Sequence, residues 1–330
     1  QVGKEFPVFL HPKTGEEYAL ARMERKTKPG YKGFVFDTSP AVALTDDLLR
    51  RDLTINAMAQ TEEGELIDPY HGKQDLEKKI LRHVSPAFAE DPVRILRIAR
   101  FLARYAHQGF HIAPETITLM RSMVASGEVD ALVAERVWKE LERALAEKNP
   151  EQFFAVLAKC DALHTLFPNL PIDGMGMKAL IAATPITQQP IIRFAALLHA
   201  LPEPKQAVLS LAKRYRIPNQ FQTLALLTAL HHQKALQAPN LSAEELLQLL
   251  YSLDVFRREE RFKDFLAACQ AIASTQGAHF EPNWLMKCTR KVKSIDIQPL
   301  IAQGFEGQKL ANKIKEERYK KLAKWLTGIS

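Results

Sequence analysis

From about residue 84 nearly to the C-terminus, apolar residues recur every three to four positions, the period of a helix with one buried face. The pattern predicts helices over 90–107, 114–126, 135–147 and 150–161, then over 191–201, 205–215, 219–236, 243–253, 257–274 and 308–326. Between the two groups, residues 166–190 carry Pro168, Pro171, Gly174, Gly176, Pro185 and Pro190, which reads as a boundary. Before residue 84 the period is shorter. Phe6, Val8 and Leu10 alternate, Pro12-Lys13-Thr14-Gly15 supplies a turn, and Glu17 to Arg22 returns, which predicts a β-hairpin over 6–22. Residues 23–40 read as a polar, Lys/Arg-rich loop with Pro29-Gly30 and Gly33, either a flap near a substrate or a plain surface loop. Leu66-Ile67 reads as a short strand, Asp68-Pro69-Tyr70 as a turn, and Gly72 to Leu76 as the start of a helix. The class is α+β: a partial sheet within 1–83, a helical segment over 84–165, and a further helical region over 166–330.

One predicted helix carries more than a core face. Glu90-Asp91-Pro92 opens it, and Pro92 suits a first turn, where a missing N–H costs nothing. Ile95, Ile98, Ala99 and Leu102 share one side, while Arg94, Arg97, Arg100 and Arg104 form a slowly drifting stripe suited to a polyanion. Asp91 is an acceptor and Arg94, one turn on, a forked donor. Cytosine and adenine each present an amine donor beside a ring acceptor, whereas guanine and uracil present a carbonyl beside an N–H. One carboxylate with one guanidinium therefore accepts C or A and rejects G or U. The plainer alternative is that Asp91 caps the helix and the arginines bridge to Glu90 and other acids. Upstream, Asp46-Asp47-Leu48-Leu49-Arg50-Arg51-Asp52 has two readings. Arginine clamps a triphosphate and Asp52 accepts from a ribose hydroxyl, or the segment is a salt-bridged helix end.

Composition adds a compartment and a bias. At 330 residues, 46% hydrophobic and 25% charged, the chain has the size of about two globular domains with ample core. The net charge of +7 favours a nucleotide or nucleic-acid partner. Cys160, Cys269 and Cys288 are far apart without metal-ligand spacing, and no apolar run has membrane-spanning length, so the cytoplasm is expected. His199 and His231-His232 invite a metal reading, but no acidic residue stands at ligand spacing from His199 and no His-x-x-x-His pair exists among them; they read as packed or surface histidines. The lysine-rich 308–326 segment reads as a solvated face or an RNA-backbone contact. The chain begins with Gln1 and passes at once into apparent mid-fold strand, so a preceding segment is expected.

These motifs together resemble the bacterial class II tRNA nucleotidyltransferases, the CCA-adding enzymes, close relatives of bacterial poly(A) polymerases. The resemblance rests on Arg50-Arg51-Asp52-Leu53-Thr54-Ile55-Asn56-Ala57 and Glu90-Asp91-x-x-Arg94. It extends to Asp68-Pro69-Tyr70-x-Gly72-x-x-Asp75-Leu76, to Leu81–Phe88, and to Glu135-Arg136-Val137-Trp138-Lys139-Glu140, whose expected role is to brace the Arg94 helix. It implies a nucleotidyltransferase palm over 1–83, a neck over 84–165, and a body and tail over 166–330. By the same resemblance, Arg51 and Asp52 contact ribose and triphosphate, Asp91 and Arg94 form the protein template, and Arg97 and Arg100 are further nucleotide contacts. Residues 22–34 match the loop that switches specificity between CTP and ATP. The implied partners are tRNA, CTP and ATP, with two Mg²⁺ ions assisting attack of the tRNA 3′-hydroxyl on the α-phosphorus.

Two departures accompany it. The family's Gly-Gly turn and metal-holding Asp-x-Asp pair do not occur in this chain, and Glu17, near an acidic position of the family, cannot build a metal site alone. The His-Asp pair of a C-terminal HD domain is replaced within Arg193–Leu201, where Ala200 follows His199, so a degenerate phosphohydrolase site is expected. A poly(A) polymerase of the same fold and a non-catalytic RNA-binding protein are the alternatives.

Overall fold

The computed structural model describes residues 8–21, 23–26, 34–37, 41–293 and 295–328. The chain divides into two compact units, residues 1–172 and 173–330.

The first unit opens with the expected hairpin, in shorter form: β1 (Phe9–Leu10) pairs antiparallel with β2 (Glu17–Tyr18). Phe6 lies outside the described residues. The loop expected over 23–40 is corrected in two places, because β3 (Met23–Lys26) and β4 (Phe34–Asp37) pair antiparallel. β3 (Met23-Glu24-Arg25-Lys26) is too charged to show alternation, whereas β4 (Phe34-Val35-Phe36-Asp37) is a short apolar, strand-prone run that the neighbouring Pro29-Gly30 and Gly33 make read as loop. The rest of the flap and of the specificity-switching loop lies outside the described residues. After α1 (Leu44–Leu49), β5 (Ala59–Gln60) pairs with β6 (Leu66–Ile67), and α2 (Gly72–Glu77) follows. The Asp68 carboxylate starts α2 by accepting from the backbone N–H groups of Gly72 and Lys73 at 2.7 and 2.9 Å. Gly72 is required there: a Cβ would stand 2.2 Å from the Thr54 carbonyl oxygen. β7 (Ile80–Leu81) pairs in parallel with β8 (His111–Ile112), beyond the expected limit of the sheet. Among the described residues the strands form separate two-stranded ladders rather than one sheet.

Between β7 and β8 runs α3 (Val93–Tyr105), with Pro92 at its N-cap. Val93, Ile95, Leu96, Ile98, Ala99, Leu102 and Ala103 are buried, and the helix packs on α5 (Ala134–Ala146) and α6 (Glu151–Lys159). α4 (Pro114–Ala125) precedes α5, and α7 (Leu163–Leu166) follows α6.

The second unit is helical: α8 (Met175–Ala183), α9 (Pro190–Leu198), α10 (Pro204–Tyr215), α11 (Asn219–Leu236), α12 (Ala243–Ser252), α13 (Glu259–Thr275), α14 (Pro282–Lys293), α15 (Gln298–Ala302) and α16 (Gly307–Thr327). α8 lies inside the stretch whose glycines and prolines suggested only a boundary. Gly176 is in fact a packing glycine, since a Cβ would meet the Leu197 carbonyl oxygen at 2.1 Å. Small side chains continue the contact: Ala179, Ala183, Ala196 and Ala271 are buried around Ile272. Arg193 is fully buried, and its guanidinium donates to the carbonyls of Thr187 (2.8 Å) and Thr184 (3.1 Å), just past the end of α8. A cation there meets the negative end of the helix dipole. No helix among the described residues is long and apolar enough to cross a membrane.

Candidate functional site

The arginine stripe of α3 does not face open space. Each member reaches an acceptor supplied by a distant part of the chain. Arg97 donates from Nε to Asp52 Oδ2 at 2.7 Å, with Nη2 also 2.7 Å from that oxygen. Arg100 donates to Glu140 at 2.6 Å, and both side chains are buried. Arg104 holds Glu147 at 2.7 and 2.9 Å. Arg94, also buried, donates to two main-chain carbonyls, that of Ala87 at 2.9 Å and that of Arg50. It thereby ties α3 to the end of α1 and to the short 3₁₀ turn Pro86–Glu90. Arg50 itself pairs with Glu90.

Asp52 sits where the chain turns from α1 into the 3₁₀ turn Thr54–Asn56. Its Oδ1 accepts from the Leu53 N–H at 2.9 Å and from Asn56 Nδ2 at 3.0 Å. Burial alone would raise the Asp52 pKa. The Arg97 charge and these hydrogen bonds outweigh it and hold the carboxyl below its usual range. Burial correspondingly pushes Arg97 down, but Asp52 above all, then Glu140 and Asp91, leave it raised. The turn is fastened from below: Thr54 Oγ1 donates to buried Asp75 at 2.8 Å, Asp75 also accepts from Arg82, and the Thr54 N–H reaches the Arg82 carbonyl. Beside it, Arg51 is half exposed, pairs with Asp47 at 3.2 Å, and donates to the Asn56 carbonyl at 3.3 Å.

Asp91, just before the Pro92 N-cap of α3, accepts from the Val93 N–H at 3.2 Å. Both of its oxygens are gripped by a forked donor from α5: Arg136 Nη1 to Oδ1 at 3.0 Å and Nη2 to Oδ2 at 2.8 Å. The block 135–140 does brace the Arg94 helix, and it does so through charge. Arg136 takes Asp91 and Glu140 takes Arg100, four residues apart on one face of α5.

Arg51, Asp52, Asp91, Arg94 and Arg97 thus gather around the N-terminal half of α3 and the 51–56 turn. Arg100 is buried against Glu140 and joins α3 to α5, and Arg94 is likewise buried with Nη1 and Nη2 on backbone carbonyls. Arg136, Glu140, Asn56 and Asp75 lie within the motif blocks, but sequence alone assigns none of them a site role of its own. Spacing on α5 was the available signal for the first two; for Asn56 and Asp75 the motif gives the residue but not the contact with Asp52 or Thr54. Glu17 is exposed on β2, and no group of three or more His, Cys, Asp or Glu residues able to hold a metal exists among the described residues. Nucleotidyltransferases generally use a divalent metal, and the residues described do not by themselves build a site for it. His199 and His232 come together in the second unit, ring centroids 5.0 Å apart, each bonded through Nδ1 to a backbone carbonyl. They are packed histidines. Burial lowers both, His199 to about 4.

Comparison with known proteins gives the class, a nucleotidyltransferase. The family model for the poly A polymerase head domain matches residues 3–82, and the model described as the probable RNA and SrmB-binding site of polymerase A matches residues 109–172. A CCA-adding enzyme of Pseudomonas putida F1 is 50% identical over 330 residues, covering 99% of this chain and 89% of the relative. One from Coxiella burnetii RSA 331 is 49% identical over 317 residues, covering 96% and 83%. The chain belongs to the CCA-adding enzyme family. Solved CCA-adding enzymes share the fold: an apo form at TM-score 0.71 and 22% identity, covering 96% of this chain and 78% of its own, and a Thermotoga maritima enzyme complexed with tRNA_CCA at 0.65 and 22%, covering 96% and 77%. Others of this fold are complexes with CTP (0.64, 22% identity, covering 96% and 77%) and ATP (0.66, 21%, covering 96% and 76%).

Proposed function

We propose that this chain adds CCA to tRNA 3′ ends from CTP and ATP, selecting bases with protein groups instead of a nucleic-acid template. The observation that carries the reading is the paired fixation of Asp91 and Arg94, an acceptor and a donor one turn apart at the start of α3. Arg136 holds the first and two backbone carbonyls hold the second. A base presenting an amine beside a ring acceptor matches this edge; guanine and uracil place a carbonyl against the carboxylate. Arg51 and Arg97 supply positive charge for the triphosphate, and Asp52, oriented by Asn56 and Arg97, is the ribose acceptor. Arg100 belongs to the frame. The tRNA 3′-oxygen bonds to the α-phosphorus, its proton is released, and the bond to the bridging oxygen breaks as pyrophosphate leaves. We take the divalent ion to be Mg²⁺, the ion suited to substrate phosphates, and the cytoplasm to be the place of action. The head-domain match also suits a poly(A) polymerase, which would take ATP alone.

The test is binding of CTP, ATP, GTP and UTP to this chain at equal Mg²⁺. Preference for CTP and ATP is expected. Preference for ATP alone would favour poly(A) addition, and equal binding of all four would sink the base-reading role of Asp91 and Arg94.

A further inference from the structure

We propose that Arg136 is a specificity-determining positioning residue: its bidentate grip sets the orientation in which Asp91 meets the incoming base. The inference rests on the reading of Asp91 as a base-reading group. A carboxylate on a short side chain is a poor selector if it turns freely, because a rotated or tilted oxygen can accept from a shifted base or through water. Here the rotation is removed. Two parallel N–H···O bonds at 3.0 and 2.8 Å fix the carboxylate plane, and the Val93 N–H adds a third contact at 3.2 Å. Those contacts place two donors on Oδ1 and one on Oδ2. An ionised carboxylate oxygen has two lone-pair directions, so Oδ2 is the oxygen with acceptor capacity to offer a base amine. The Asp91 and Arg136 side chains are both partly accessible, at 21% and 31%, so a ligand can approach the pair without unfolding either helix.

The partner's origin also matters. Arg136 stands in the first turn of α5, and α5 packs along α3. Four residues on, Glu140 anchors the same face through buried Arg100. Arg136 therefore reaches Asp91 from a rigid support. Lysine at this position would keep the charge but lose the fork.

The experiment compares binding of CTP, ATP, GTP and UTP to the full chain and to its Arg136→Lys, Arg136→Met and Asp91→Ala variants, with folding checked by circular dichroism. The expected result is that Arg136→Met lowers the preference for CTP and ATP over GTP and UTP by about tenfold or more, with Arg136→Lys in between. A mere structural role would lower all four affinities alike and leave the ratio intact, which would overturn the proposal. Tighter CTP and ATP binding with an unchanged ratio would overturn it too, because Arg136 would then be masking Asp91. The Asp91→Ala variant separates the two levels. If it relaxes the ratio and Arg136→Met does not, only the positioning role fails. If neither changes the ratio, or the unaltered chain binds no nucleotide, the base-reading assignment falls and the positioning role with it.

Discussion

Arg97 of α3 closes on Asp52, 45 residues upstream, with Nε and Nη2 both 2.7 Å from one carboxylate oxygen. This pair holds the 51–56 turn against the helix that carries Asp91 and Arg94. The two sequence blocks of the candidate site are thus mechanically one object. Arg97→Met should cost about 1–3 kcal/mol at neutral pH, less than a fully buried pair because Arg97 is one-third exposed. The sign with pH is definite. Asp52 is held below its ordinary 3.8, so its contribution is present above that value and lost as pH falls through the lower folded value. The stability gap between the unaltered protein and Arg97→Met should narrow below pH 3.8. Chemical denaturation across pH measures it, and a gap independent of pH would contradict the assignment.

Arg100 and Glu140 form a pair buried on both sides. Removing one partner strands the other charge, so Arg100→Met should destabilise by about 3–5 kcal/mol. The double variant Arg100→Met, Glu140→Met should recover much of that loss, since no charge is then left buried. Denaturant midpoints of the four proteins form the cycle. Additive losses would mean the two side chains are not coupled.

Gly176 offers a test in which two effects have opposite signs. Helix propensity alone would make Gly176→Ala stabilising by about 1 kcal/mol. Packing predicts the reverse: a Cβ 2.1 Å from the Leu197 carbonyl must push α8 and α9 apart, at about 1–3 kcal/mol. A lower melting temperature is expected.

His199 should make the second unit acid-sensitive. Its folded pKa is lowered from 6.5 to about 4 by burial, so the unfolded chain takes up the proton first. Stability falls as pH drops from 6.5 towards 4. Neighbouring His232, also lowered by burial, adds in the same direction. His199→Leu should flatten the melting-temperature slope over that window while leaving neutral-pH nucleotide binding unchanged.

Arg51 is half exposed and its partners are Asp47 and a backbone carbonyl, so its guanidinium is accessible to a ligand. Arg51→Ala should weaken CTP, ATP, GTP and UTP alike, by about tenfold, because triphosphate charge is common to all four. A base-dependent effect in titrations would place Arg51 at the base instead.

Much of the architecture was legible locally. The helical period marked α3 to α6 and α9 to α13, since each helix buries one face and the spacing of its apolar residues is set by backbone geometry alone. The motif blocks marked Asp52, Asp91 and Arg94 by residue type. Other features were not legible. α8 was hidden because Gly176 looks like a breaker until its contact with Leu197 is known. Strand β3 is charged throughout after Met23, and β4, though Phe34-Val35-Phe36 is strand-prone, is too short and too close to Pro29-Gly30 and Gly33 to stand apart from the loop.

By itself, then, the sequence determined most of the helical segments (though not, for example, α8, α14 or α15), which family the chain resembles, and which residue types are available for nucleotide chemistry. Only the tertiary structure decided how the charges are used. A stripe of arginines on one helix fits a polyanion or a set of internal acids equally well, because periodicity specifies a face and not what lies opposite it. The partners of Arg97, Arg100 and Arg104 come from 40 to 45 residues away, and Asp91 is met by Arg136 of another helix. Those pairings depend on the packing of α3 against α5 and the 51–56 turn, which separates a buried brace at Arg100 from an accessible acceptor at Asp91.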